Sequence, residues 1–180
     1  MNQRDPQREP AMSATWPGPA GHGALLSELR HLYGANKHLH TALTLMAAGP
    51  HPPAVGYLIG GARREASTQL WRLEQLFAYL DEEIGRRHCV EMARILVGWD
   101  TATDVPGSPA LLAATVSRAA HYLSSGYAAA AARARALGYP TVAAQLDQCV
   151  TDATSLGLRA SQPGETVSGR DGASRDHARP

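Results

Sequence analysis

A heptad pattern of apolar residues near the start of the chain is the strongest constraint on its fold. Between residues 24 and 48, seven side chains are spaced 4-3-4-3-4-3, and all but one of them are apolar: Leu25, Leu29, Leu32, Asn36, Leu39, Leu43 and Met46. This repeat is typical of helices that pack side by side in bundles. It predicts a long helix that needs neighbours and that ends at Gly49 and Pro50.

Three further segments show a helical period of apolar residues, and they cover about 53–80, 109–137 and 140–160. In the first of them, Gly60 and Gly61 lower helix propensity, which predicts the close approach of a neighbouring helix. In the second, Ser108 is expected to be the N-cap, followed by proline at the first helical position. Gly138 is expected to end that helix.

The lengths of the connections predict how the helices are arranged. Short turns follow the first and third long helices, so each forms an antiparallel hairpin with the next helix. Residues 82–107 form a long connection that is predicted to contain a short helix at about 88–98. The predicted fold class is therefore all-α, a ferritin-like four-helix bundle with one long crossover containing a short helix. The sequence offers no strand candidate.

Composition sets the limits of the domain. Residues 1–22 and 161–180 have too few apolar side chains to offset the entropy lost on ordering, so they are predicted to be disordered tails. A single bundle domain is expected to span residues 23–160. The chain is 44% hydrophobic but only 6% aromatic, so its core must consist of small and aliphatic side chains.

Charge and cysteine content exclude several classes of protein. The net charge of +1 gives no basic excess for binding nucleic acid. Cys89 and Cys149 are too few for a disulfide scaffold or a four-cysteine zinc site, and free thiols in a reducing compartment are expected. No secretory signal and no run of 18 apolar residues is present. These observations predict a cytoplasmic protein that does not enter a membrane.

The sequence resembles the YciE/YciF family of ferritin-like proteins, also called DUF892. The resemblance covers residues 24–158 and is carried by five stretches that recur in the family's order: "LLSELRHLYGANKHLHTALTLMA", "REASTQLWRLEQLFAYLDE", "CVEMARIL", "AATVSRAAHYLSSGY" and "ARALGYPTVAAQLDQCVTDA". The third matches a Cys-x-x-Met motif of the family's crossover helix. The resemblance implies a ferritin-like bundle with a dinuclear metal centre on its long helices.

Most of the ligands that the resemblance implies are missing from this chain. The positions of the family's ligands are occupied by Asn36, Ala62, Glu65, Ala120 and Leu123, and only Asp152 offers a carboxylate on the last helix. Of these, only Glu65 is retained from the family's pattern. Asparagine and alanine cannot replace carboxylates that bridge two divalent cations. The sequence therefore predicts a ferritin-like bundle that has lost its metal site, with alanine and leucine refilling the space.

Four polar residues are the candidate remnants of that site: Asn36, His40, Glu65 and Asp152. Asn36 is expected to fix the register of the helices, and Glu65 to bond with Asn36, His40 or the Tyr127 hydroxyl. A single metal ion held by His40, Glu65 and Asp152 is the metal-binding alternative. His31, His88 and His121 are interpreted as surface or capping histidines, and both cysteines as small buried hydrophobic residues. No catalytic motif is present.

Three functional hypotheses follow from these residues. The first is a non-enzymatic bundle similar to YciE/YciF stress-associated proteins, acting without cofactor as a structural or interaction protein and forming a homodimer. The second is a metal-binding or oxidase-type bundle with rearranged ligands for iron or manganese. The third is a module that binds an apolar ligand in a cavity near Ala62 and Ala120. Trp71 and Tyr79 lie off the heptad pattern, where they either form a dimer face or pack under the crossover.

Overall fold

The computed structural model describes residues 19–85, 88–100 and 108–162. This part of the chain forms five helices: α1 (Pro19–Met46), α2 (Pro53–Tyr79), α3 (Val90–Asp100), α4 (Pro109–Ala136) and α5 (Pro140–Ser161). The described residues contain no strand. The predicted fold class is confirmed, since α1, α2, α4 and α5 are the long helices of a ferritin-like bundle and α3 lies in the crossover.

Helix α1 begins four residues before the predicted domain boundary. Its first turn is held by His22, which was assigned to the tail. The His22 ring bonds to the Tyr139 hydroxyl at 3.1 Å and to the Glu82 carboxylate at 3.3 Å. Tertiary contacts therefore order a Pro-Ala-Gly-His segment that resembles a loop in composition. The rest of the predicted tails, residues 1–18 and 163–180, lies outside the described residues.

The helix ends follow the predicted proline and glycine signals with one exception. Proline occupies the first turn of α2, α4 and α5. Gly138 adopts a φ of 76°, the left-handed conformation that ends α4. Ser108 occupies the predicted N-cap position of α4; the exception is that its side chain makes no capping hydrogen bond.

The crossover helix lies on one side of the bundle. The hairpin partners pack together, α1 with α2 and α4 with α5, while α3 packs against α1 and α4. Helix α3 does not pack against α2, and Trp71 and Tyr79 on α2 are 59% and 61% exposed. The described part of the crossover therefore gives no support to packing of these aromatic residues under it.

The glycines of the bundle do not all serve close packing. A Cβ atom added to Gly61 would meet no atom within 4 Å, and one added to Gly60 would meet only the Arg64 side chain. The predicted close helix approach at this pair is therefore wrong. It occurs instead at Gly126 on α4, where an added Cβ would lie 2.7 Å from the Leu32 side chain of α1. None of the described helices is long and apolar enough to cross a bilayer.

Candidate functional site

A chain of hydrogen bonds crosses the centre of the bundle. The Asn36 amide donates to the Leu32 carbonyl at 2.9 Å and to the Tyr127 hydroxyl at 2.6 Å. The Tyr127 hydroxyl donates to the Gln69 carbonyl oxygen at 3.2 Å, and the Gln69 amide donates to Glu65 at 3.0 Å. Asn36, Gln69 and Tyr127 are fully or almost fully buried. The polar position in the α1 heptad therefore serves a network that joins α1, α4 and α2.

Glu65 has a different partner from those predicted. Its carboxylate accepts from Gln69, one helical turn away, whereas Asn36, His40 and Tyr127 were the expected partners. The Asn36 amide donates to the fully buried Tyr127 hydroxyl instead, so Asn36 does not bond to Glu65 directly. The described residues show no hydrogen bond between His40 and Glu65. The i, i+4 spacing of Glu65 and Gln69 was the sequence signal for this contact.

The Glu65 carboxyl lies in an environment that disfavours its charge. Burial raises its pKa above the ordinary value, and the nearby Asp152 carboxylate raises it further. The bond from Gln69 and the charges of Arg72 and Arg159 lower the pKa without reversing the shift. The neighbours of Glu65 therefore stabilise its ionised form only weakly.

Asp152 is already paired with a positively charged side chain. Its carboxylate forms an ion pair with the Arg72 guanidinium and accepts from the Gln148 amide at 2.9 Å. Cys149 lies beside this pair, where burial raises the pKa of its thiol to about 11 even though Arg72 opposes the shift. The thiol is therefore protonated at neutral pH.

These residues do not fit a dinuclear metal centre. Ala62, Ala120 and Leu123 are buried at positions where the family resemblance places ligands, and they offer no donor atom. Glu65 and Asp152 come close enough to influence one another, but Arg72 adds a positive charge beside them. Two divalent cations need several carboxylates to balance their charge, and a guanidinium at the same level opposes them. The side-chain amide oxygen of Asn36 is buried without a partner among the described residues. This single neutral oxygen does not supply the negative charge that two divalent cations need.

A second polar cluster lies outside the bundle core, where α3 meets α1 and α4. The His31 Nε2, Cys89 Sγ and Glu91 Oε2 atoms lie within 4.8 Å of one another. The separations are 3.5 Å for Nε2 to Sγ, 3.6 Å for Sγ to Oε2 and 3.8 Å for Nε2 to Oε2. The Tyr122 hydroxyl lies 2.5 Å from Nε2 and 3.5 Å from Sγ. We call His31, Cys89 and Glu91 the crossover cluster.

Local structure fixes the atoms of the crossover cluster. Cys89 immediately precedes α3, and its sulfur accepts the Met92 backbone N–H at 3.4 Å. Glu91 lies in the first turn of α3, where a hydrogen bond to its own backbone N–H lowers the pKa of its carboxyl. Burial raises the pKa of Tyr122, and hydrogen bonding to Cys89 raises it further, so this hydroxyl stays protonated.

The cluster borders a surface cavity of about 660 Å³ between α1 and α4. The residues that line the cavity include Glu28, His31, Leu32, His121, Tyr122 and Gly126. His31 belongs to both the cavity wall and the cluster, its neighbour Tyr122 also lines the cavity, and Cys89 is fully buried. A small solute in the cavity can therefore reach the imidazole side of the cluster.

Sequence reasoning missed this cluster. Cys89 is a buried free thiol as predicted, but His31 is part of a polar site and is not a simple surface or capping histidine. Cys89 and Glu91 are two residues apart, but His31 lies 58 residues before Cys89, and no ligand spacing connects it to them. Only the packing of α3 onto α1 brings them together.

Comparison with known proteins places the fold in a recognised group. A family model described as "Domain of unknown function (DUF892)" matches residues 22–159, which is more than three quarters of the chain. No curated protein sequence matches the chain.

Two solved structures are similar to this one. YcfI from Rhodopseudomonas palustris has a TM-score of 0.74 at 19% identity, over 80% of this chain and 94% of that chain. The E. coli stress protein YciF has a TM-score of 0.72 at 20% identity, over 78% of this chain and 92% of that chain. Both likenesses concern the fold.

Proposed function

Because the chain belongs to the DUF892 family, we propose that it is a ferritin-like bundle that acts without a dinuclear metal centre, as a structural or interaction protein. The proposed role is non-enzymatic and associated with stress, since the similar YciF is described as a stress protein. A reducing compartment such as the cytoplasm suits its two free thiols, Cys89 and Cys149.

The observation that carries this proposal is the hydrogen-bond network in the centre of the bundle. Asn36, Tyr127 and Gln69 are neutral, and hydrogen bonds from Asn36 to Tyr127 and from Tyr127 to Gln69 connect them in the space between the helices. A bundle that binds two metal ions instead directs charged carboxylates into this space. The ion pair between Arg72 and Asp152 adds a further obstacle, because a metal ion that binds Asp152 would have to break this partly buried pair.

Metal analysis of the purified chain tests the proposal. The full chain is purified without chelator, and its iron and manganese are measured by inductively coupled plasma mass spectrometry. We expect far less than one equivalent of either metal, with no difference between the wild type and Glu65→Ala. One or two equivalents of iron or manganese that are lost in Glu65→Ala but kept in Cys89→Ser would overturn the proposal. That outcome would favour the oxidase-type alternative, since it would place the metal in the core.

We also propose that the chain forms a homodimer through the outer face of α2. Trp71 is more than half exposed there and lines a groove of about 760 Å³ between α2 and α5, together with Gln75, Pro140 and Ala144. A large exposed aromatic side chain beside a groove is a feature of protein–protein contact surfaces. A second copy of the chain offers the same tryptophan and groove, as a two-fold interface requires.

A further inference from the structure

The crossover cluster brings together three different kinds of metal ligand. His31 offers an imidazole nitrogen from α1, Cys89 a sulfur from the residue before α3, and Glu91 a carboxylate oxygen from the first turn of α3. Nitrogen, thiolate and carboxylate ligands together are typical of zinc and similar first-row metals. Magnesium and calcium prefer sites built from oxygen alone. The donor set therefore indicates one class of metal ion.

The spacing of the three atoms suits a single tetrahedral ion. With metal–ligand bonds of about 2.0–2.3 Å, the ligand atoms of such a site lie about 3.5 Å apart. The separations in the cluster are 3.5, 3.6 and 3.8 Å, so they need shifts of only a few tenths of an ångström. Three ligands from the protein leave a fourth position, and the adjoining cavity provides a path from solvent.

Charge and surrounding hydrogen bonds also favour a divalent ion. A Cys89 thiolate and a Glu91 carboxylate carry two negative charges, and with a neutral His31 they balance one divalent cation. The Met92 N–H already points at the sulfur, and the Tyr122 hydroxyl lies within reach of it. Donors of this kind orient and stabilise metal-bound thiolates.

From this geometry we propose that His31, Cys89 and Glu91 bind one zinc-class divalent metal ion between α1 and the crossover helix, outside the bundle core. Binding forms bonds from the metal to Nε2, Sγ and Oε2, and the Cys89 thiol proton is released to solvent. His31 then carries its proton on Nδ1, and the Tyr122 hydroxyl exchanges its bond with His31 for one with the sulfur. The ion ties the crossover to α1, and it is separate from the family's core centre.

A cobalt titration tests this proposal, because cobalt(II) bound to a thiolate gives charge-transfer absorption in the near ultraviolet. The full chain is reduced, stripped with a chelator and titrated with cobalt(II), and then zinc(II) is added. We expect one equivalent of cobalt to bind and zinc to displace it. The absorption should be lost in Cys89→Ser and kept in Cys149→Ala, which changes the chain's only other thiol.

Two further variants keep the test valid if the buried Cys89 cannot be changed without unfolding. His31→Gln and Glu91→Gln alter partly exposed side chains, and each should raise the Kd for zinc at least tenfold. His51→Gln, a histidine in the turn between α1 and α2, should leave the Kd unchanged. At the same zinc concentration, the Tm of the wild type should rise more than that of Glu91→Gln. Absence of saturable binding, or thiolate absorption that survives in Cys89→Ser, would overturn the proposal.

Discussion

Glu65 is a partly buried carboxylate that lies near a second one, that of Asp152. Its carboxylate accepts from Gln69, and the charge of Asp152 disfavours its ionised form. The sequence located this residue and the buried Asn36 correctly, because both interrupt an apolar helical face. It offered Tyr127 as a partner of Glu65 but did not identify Gln69 as the residue between them, because those contacts depend on side-chain directions across three helices.

Replacing Glu65 by Gln should stabilise the protein at neutral pH. A carboxyl whose pKa is raised by folding stabilises the fold below its unfolded pKa and loses that contribution as the pH rises through the folded value. Glutamine keeps the oxygen that accepts from Gln69 and carries no charge. Thermal melts between pH 4 and pH 8 should therefore show equal Tm values at the acidic end and a higher Tm for Glu65→Gln near pH 7.

The exposed Glu83 provides the control for this experiment, because Glu83→Gln changes a carboxyl on the surface. Its Tm should follow that of the wild type at every pH. A lower Tm for Glu65→Gln at pH 7 would contradict the expectation, since it would mean that the anion is stabilised in the folded state.

At the scale of elements, small residues have different roles on different helices. Gly126 lets α4 approach α1, whereas Gly61 on α2 faces open space. The sequence indicated that glycines within helices mark close contacts but could not show which ones do, since that depends on the partner helix. Loop lengths, in contrast, predicted the hairpins and the crossover well, because a short turn leaves few ways to connect two long helices.

Two glycine-to-alanine variants should therefore change stability in opposite directions. Gly61→Ala should raise the free energy of unfolding by about 0.5–1 kcal/mol, because alanine favours the helix and its methyl group meets no atom. Gly126→Ala should lower it by about 1 kcal/mol, because the added methyl group would lie 2.7 Å from the buried Leu32 side chain and must displace it. Urea unfolding followed by circular dichroism measures both. Equal stabilisation by the two variants would show that Leu32 moves aside without cost.

For the molecule as a whole, the position of the crossover makes the two sides of the bundle unequal. Helix α3 covers part of α1 and α4, and it leaves the outer faces of α2 and α5 open. The sequence predicted that a crossover exists, but it could not show which side the crossover takes. For the same reason it missed the cluster of His31, Cys89 and Glu91, which forms only where α3 meets α1.

The side of the bundle formed by α2 and α5, against which α3 does not pack, should support the proposed homodimer. Size-exclusion chromatography with light scattering should give twice the chain mass of 19.1 kDa for the wild type and the monomer mass for Trp71→Arg. An arginine in the interface would place two like charges close to the two-fold axis. Leu45→Ser, a 61% exposed site near the end of α1, should remain a dimer. A monomeric wild type would contradict the proposed interface.

The two cysteines give the molecule a pair of internal reporters. Both thiols are fully buried, one at the start of the crossover helix and the other within α5. A thiol reagent can modify either of them only after the surrounding structure opens. The labelling rate of Cys89 therefore follows detachment of the crossover, and that of Cys149 follows opening of the four-helix core. Comparing the two rates would show whether the crossover can leave the bundle while the core stays folded.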